Sequence, residues 1–246
     1  MKPLKFTVAT ADGPMDVHLA MPARAKRHRA RAIVVLQEAF GVNPHILKVC
    51  DRLAAAGYLA AAPELFHRTG SGVQYGYQDF EKIRPLLPGI TNDRLLMDVS
   101  AAYKFLVGRS DVDPRQITTI GFCLGGFASA LAACHLPLAA AVSFYGGGLA
   151  SARPGMGLTP LLDDFSGLSC PTLFFFGEQD QNITPEDVAA VRTRLQTLGK
   201  PHEIVVYPDA GHGFFCEERA AYHAASAAAA WSKTLQWLES QLSRTA

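Results

Sequence analysis

The sequence predicts an α/β fold: a mostly parallel central sheet with helices on both faces and an antiparallel hairpin at the N-terminal end. Three observations predict it. Strand-like and helix-like runs alternate from Ala32 onward, the order that lays parallel strands under crossover helices. The strand-like runs are continuous apolar stretches such as "AIVVLQ" (Ala32–Gln37), as expected of strands buried on both faces. Ahead of them, "KFTVAT" (Lys5–Thr10) and "MDVHLAMP" (Met15–Pro22) alternate apolar and polar residues around "ADGP", a hairpin pattern.

The elements follow in order. After the strand Ala32–Gln37, Pro44 opens a helix with Ile46, Leu47, Val49, Cys50 and Leu53 on one stripe and Gly57 at its end. "YLAAAPEL" (Tyr58–Leu65) is the next strand. Phe66 to Gly89 is rich in Gly, Pro, His and Tyr and reads as an irregular active-site loop with a short helix. A helix over Thr91–Val107 repeats Leu95, Leu96, Val99, Ala102, Tyr103 and Leu106 at helical spacing. A strand over Gln116–Phe122, a helix over Leu124–His135 and a strand over Leu138–Gly146 come next, then a loop from Gly147 to Ser169. Strand Pro171–Gly177, helix Pro185–Leu198 and strand His202–Pro208 lead to a closing helix with Trp231, Leu235, Leu238 and Leu242 on one face. No repeat or low-complexity linker divides the chain, so residues 1–246 read as one domain.

Composition bounds the function. About half of the 246 residues are apolar, enough for a large core, and the net charge is +1. That balance gives no argument for a nucleic-acid partner or an anionic membrane. The basic stretch "ARAKRHRAR" (Ala23–Arg31) reads as a solvated loop. The N-terminus lacks the apolar core of a signal peptide, and no apolar run reaches the roughly 18 residues of a membrane span. Cys50, Cys123, Cys134, Cys170 and Cys216 are odd in number and contain no CxxC pair, which speaks against a disulfide framework or a zinc site and for a reducing cytoplasm.

"TIGFCLGGF" (Thr119–Phe127) places Cys123 between a strand and a helix in a G-x-C-x-G-G pattern. A tight strand-to-helix turn lifts such a side chain clear of the sheet, needs the small neighbours Gly121 and Gly125, and sets the sulfur at a helix N-terminus that favours a thiolate. An ordinary buried cysteine fits the glycine pattern equally well. Two further segments separate the readings. "FFFGEQDQNITPE" carries Asp180 just past a strand, and "VVYPDAGHGFF" carries His212 just past the next. Nucleophile, acid and histidine in that chain order, each at the C-terminal end of a late strand, make the order of an α/β-hydrolase triad. Glu178 competes with Asp180 as the acid, and Asp209 is a second carboxylate near His212. "LQEAFGVN" (Leu36–Asn43) follows the strand that supplies an oxyanion donor in such folds, so the N–H groups of Ala39 and Leu124 are the candidate hole. Phe40 and Tyr145 are candidate substrate contacts.

With these residues in hand, the chain resembles the dienelactone hydrolase family, from "VVLQEAFGVN" through "YLAAAPELF", "GFCLGG" and "GEQD" to "AGHGFF". The resemblance implies a single-domain α/β-hydrolase fold, Cys123 as nucleophile, Asp180 and His212 as its partners, and Glu38 as an acid that governs when the thiol ionises. It also implies no metal or organic cofactor, and a small-molecule ester or lactone as the substrate. One departure stands out. The family's dienelactone-cleaving members carry an arginine for the substrate carboxylate after the histidine, where this chain has Cys216. Arg219, expected one turn into a helix, Arg68 and Arg84 are the candidate replacements. The expected activity is thioester-forming lactone or ester hydrolysis by a monomer or small homo-oligomer. A general carboxylesterase or thioesterase of the same fold, or a non-catalytic redox-sensing relative, is the alternative.

Overall fold

β1 (Leu4–Thr10) and β2 (Gly13–Ala20) pair antiparallel, from Leu4 opposite Leu19 to Thr10 opposite Gly13, as the alternating pattern requires. The structure, a computed structural model, describes residues 4–23 and 29–243; residues 24–28 of the basic stretch lie outside the described residues. β3 (Ala30–Leu36) and β4 (Leu59–Pro63) follow, and β2 pairs antiparallel with β4, which joins the hairpin to the main sheet. All pairings among β3, β4, β5 (Val112–Phe122), β6 (Ala140–Phe144), β7 (Thr172–Gly177) and β8 (His202–Tyr207) are parallel. The described strands run in the order β1-β2-β4-β3-β5-β6-β7-β8.

Every residue of β4, β6 and β7 is buried, so both faces of the sheet centre are covered, which explains why these strands are mostly apolar and show no alternation. The helices are α1 (Pro44–Ala55), α2 (Phe80–Ile83), α3 (Asn92–Val107), α4 (Leu124–His135), α5 (Pro185–Thr197) and α6 (Ala224–Leu242). α3 packs on α4, and both rest on β5. α1 meets α6 where the Arg52 guanidinium lies 4.1 Å over the Trp231 ring. Their starts are chemically marked. Asn43 accepts from the Ile46 N–H ahead of Pro44, Thr91 caps α3, and Thr184 with Asp187 forms a capping box on α5.

Two boundaries depart from the sequence expectation by more than two residues. β5 starts at Val112 rather than Gln116: Ala30 pairs with Val112 and Ala32 with Ile117, so Asp113–Gln116 bulge out of register. The missing N–H of Pro114 therefore interrupts no ladder bond. α6 begins only at Ala224, and Arg219 lies in a turn before it, its N–H donating to the Cys216 carbonyl. The expected helical position of Arg219 is corrected accordingly.

The junction of β5 and α4 is the tightest place in the fold. A Cβ on Gly121 would sit 1.8 Å from the Gly125 carbonyl oxygen, and one on Gly125 would sit 2.1 Å from the Leu36 carbonyl oxygen at the end of β3. The glycines thus let α4 start directly over two adjacent strand ends. Gly125→Ala is expected to cost about 2–3 kcal/mol, because only backbone movement relieves the clash. A melt should show a Tm lower by roughly 5–10 °C. Gly108→Ala, whose Cβ would find 3.5 Å to its nearest neighbour, should stay within about 0.5 kcal/mol.

Candidate active site

Because β3, β5, β7 and β8 are parallel, the segments following them emerge along one edge of the sheet. Cys123 follows β5, Asp180 follows β7, His212 follows β8, and Glu38 with Ala39 follows β3. Cys123 has φ 53° and ψ −111°, a left-handed conformation that a non-glycine residue holds only under constraint. The constraint is visible on both sides. The Cys123 N–H donates to the Phe144 carbonyl at 3.0 Å, and its carbonyl accepts from Phe127 in the first turn of α4. The sulfur makes no capping bond to that helix and is left for His212.

The imidazole Nε2 of His212 lies 3.0 Å from Cys123 Sγ, and its Nδ1 lies 2.8 Å from Asp180 Oδ2. The other Asp180 oxygen accepts from the Asn182 N–H at 2.7 Å, so the carboxylate is held from both ends. Of the carboxylates left open by the sequence, Asp180 is the one buried against the ring, whereas Glu178 and Asp209 are exposed. Burial pushes the Cys123 thiol up, but the charge and hydrogen bond of His212 outweigh it and leave the thiol below its ordinary range. Burial likewise disfavours the imidazolium, yet the facing sulfur and Asp180 raise His212 to about 10. The signs agree. Both shifts favour a thiolate–imidazolium pair over the neutral pair.

A cavity of about 210 Å³ opens on the sulfur. Phe40, Tyr77, Leu87, Met156 and Leu158 give it an apolar wall, and Arg153 and Arg219 bring cations into it. Ala39 and Leu124 also line it. Among the described residues neither of their N–H groups has a protein acceptor, and Leu124, at the first position of α4, has none available within its helix. The irregular segment after β4 forms part of the wall. Its position is fixed by Tyr75 N–H donating to the Phe40 carbonyl at 3.0 Å and by Gly72 N–H donating to Glu64 at 2.6 Å.

Glu38 is fully enclosed beside this cavity. Its Oε1 accepts from Arg219 Nη1 at 2.9 Å. Burial raises its carboxyl above the ordinary range, with Arg219 opposing the shift. Among the described residues, Glu38, His45 and Cys216 form a group of side chains able to ligate a metal, one atom of each lying within 4.8 Å of the others.

Three expected substrate contacts resolve differently. Phe40 lines the cavity. Tyr145 does not: it is fully buried behind His212, ring centroids 5.3 Å apart, and packs rather than faces the opening. Arg84 does not either; it is exposed and 3.5 Å from Glu81, because the turn after α2 directs it to solvent. Arg68 is held by Asp98 and Asp12 outside the cavity. Arg153, which was not among the sequence candidates, lines the cavity together with Arg219. Its guanidinium lies close over Gly147 and donates to the backbone carbonyl and Oδ1 of Asn182 at 3.3 and 3.1 Å. A glycine-rich loop after a late strand was the sole signal for it.

The profile of the dienelactone hydrolase family matches residues 15–242. The chain belongs to the dienelactone hydrolase family. It is 36% identical to a Synechocystis sp. protein provisionally named carboxymethylenebutenolidase, over 85% of this chain and 86% of that one. A protein of the same provisional name from Escherichia coli is 38% identical over 84% of this chain and 76% of its own. The solved structure of a provisionally named dienelactone hydrolase from Klebsiella pneumoniae superposes with a TM-score of 0.84 at 30% identity, covering 96% of this chain and 98% of that one. The protein is therefore a dienelactone hydrolase-like enzyme of the α/β-hydrolase superfamily, acting on ester or lactone bonds. Among the described residues, no helix of this family member is long and apolar enough to cross a membrane.

Proposed function

We propose that the protein cleaves a small lactone or ester through a thioester on Cys123, and that its preferred substrate carries a negative charge. The observation that carries this reading is the unbroken line from Asp180 through His212 to a sulfur held at a strained strand-to-helix turn. The thiolate adds to the carbonyl carbon, and the resulting oxyanion receives the N–H groups of Ala39 and Leu124. Donors of this kind are each worth about 3–4 kcal/mol of barrier. Collapse breaks the bond to the ester oxygen, which leaves with the proton of His212 as an alcohol or enol. For a lactone that group stays tethered to the acyl chain. A water then gives its proton to the now neutral His212 and attacks the thioester, and departure of the thiolate completes hydrolysis. Activated esters and enol lactones suit this site because their leaving oxygens need little help.

The charge preference rests on Arg153. Arg219 has Glu38 as counter-ion, whereas Arg153 touches only neutral oxygens and no carboxylate among the described residues. A cation in a half-enclosed cavity with an apolar wall favours a carboxylate on the substrate. The name carboxymethylenebutenolidase, provisionally given to relatives, contains a carboxyl group, which fits the same preference. The apolar wall also accommodates uncharged acyl groups, which supports a general carboxylesterase as the second reading.

Cys123→Ala is expected to abolish turnover of p-nitrophenyl acetate, and substantial remaining turnover would remove the thiol from the mechanism. Arg153→Gln separates the two substrate readings. It should lower kcat/KM for the p-nitrophenyl monoester of succinate by about 10- to 100-fold, the worth of a charge-assisted hydrogen bond. The acetate ester should be almost unaffected. Equal effects on both esters would favour the carboxylesterase reading.

A further inference from the structure

Behind the reactive thiol, three buried side chains from separate segments converge: Glu38 after β3, His45 in the first turn of α1, and Cys216 in the turn after His212. Their exposures are 1%, 4% and 0%. Two of their atoms, Glu38 Oε2 and His45 Nε2, have no hydrogen-bond partner. A buried polar atom left unsatisfied costs about 1–3 kcal/mol, so two such atoms in one nest point to each other. One carboxylate oxygen of Glu38 and one ring nitrogen of His45 lie within 4.8 Å of each other, a span that one bridging water covers. Cys216 donates its S–H to the Tyr77 hydroxyl at 3.0 Å, and Tyr77 also receives the Asn43 amide. The direction of the missing bond follows from the charges. Glu38 accepts from Arg219, whose charge favours the carboxylate against the burial that opposes it. His45 sits edge-on beside the stacked Phe122 and Phe215 rings, 5.9 and 6.0 Å away, and burial lowers its pKa to about 4, leaving a neutral ring with one N–H to give.

We propose that His45 is a positioning residue for the hydrolytic site: it donates its Nε2–H, directly or through one water, to the unpaired oxygen of Glu38 and so holds that carboxyl as an anion beside Arg219. The proposal rests on Cys123 as nucleophile, because Glu38 matters through the thiol. The groups acting on Glu38 are Arg219, His212 and Tyr77, with Cys216 at its side. Those acting on His45 are Lys48 and Arg52 of its own helix and Glu217 and Arg219 across from it. Burial drives Glu38 toward its neutral form; Arg219, His212 and the Tyr77 hydroxyl oppose that, and the His45 donor adds to them. The anionic carboxyl in turn raises the Cys123 thiol, while Arg219 lowers it. His45 therefore keeps the resting thiol less ionised than Arg219 and His212 alone would leave it. Removing the donor favours neutral Glu38, and thiolate then forms at lower pH.

The test is the rate of iodoacetamide alkylation at Cys123, followed by peptide mass spectrometry from pH 5 to 10 on the whole chain. A phenylalanine ring can take the same edge-on place against Phe122 and Phe215, so His45→Phe removes the donor and keeps an aromatic ring there. The profile should move to lower pH by about half to one unit, a three- to tenfold faster reaction on its acid limb. Glu38→Gln should move it the same way, and the double variant no further. His45→Gln, which keeps an N–H near the Nε2 position, should retain the wild-type profile. If His45→Phe does not fold, His45→Leu gives the same comparison. A donor-free variant whose profile overlays wild type, or a double variant whose shift equals the sum of the singles, overturns the proposal. So does one equivalent of Zn2+ retained by wild type and lost with His45→Phe, since His45 would then be a ligand. The readout is alkylation, not turnover, so full ester hydrolysis by Cys123→Ala would overturn the nucleophile reading alone.

Discussion

The hydrogen-bonded line from Asp180 through His212 to Cys123 gathers groups from three strand ends and depends on a backbone conformation that the sequence can hold at few places. Nothing local favours Cys123 at φ 53°. It is fixed because α4 must start within contact of β3 and β6, and Gly121, Gly125 and Gly126 leave just enough room. The strain and the close approach are therefore one feature: the turn that aims the sulfur is also the turn that packs the sheet. A side chain added at any of these glycines acts on fold and site together.

Electrostatics then divides between two pairs. Cys123 and His212 share a proton in a buried setting, where each stabilises the charged form of the other against desolvation. Glu38 and Arg219 form a second pair alongside, and their charges act on the thiol in opposite senses. In this account the resting thiol is balanced rather than fully activated. A substrate anion that engages an arginine in the cavity would tilt the balance toward thiolate, coupling recognition to nucleophile formation. A free low-pKa thiol is also prone to oxidation, so such a balance limits loss of the enzyme between turnovers.

Much of this was legible in the residues. Continuous apolar runs and helical stripes marked the strands and helices because burial on both faces leaves no alternation to confuse them, as in β6 and β7. The order Cys123, Asp180, His212 was readable because a parallel sheet sends the segments after its strands to one edge. Side-chain direction beyond the sheet was not. Tyr145, Arg84 and Arg153 all sit in turns, where one residue of offset decides between core, solvent and cavity. The nest of Glu38, His45 and Cys216 was illegible for a related reason. Each residue taken alone reads as an ordinary member of its own segment, and only the fold brings the three together.

The account turns on a covalent bond between substrate and Cys123, and acid-quenched intact-mass spectrometry during turnover of a slowly deacylating aryl ester, p-nitrophenyl pivalate, tests it most directly. The account expects a p-nitrophenolate burst of about one equivalent, a mass gain of one pivaloyl group lost on hydroxylamine treatment, and its location on the peptide containing Cys123. Steady turnover with no adduct, or with the acyl group on another residue, would contradict it.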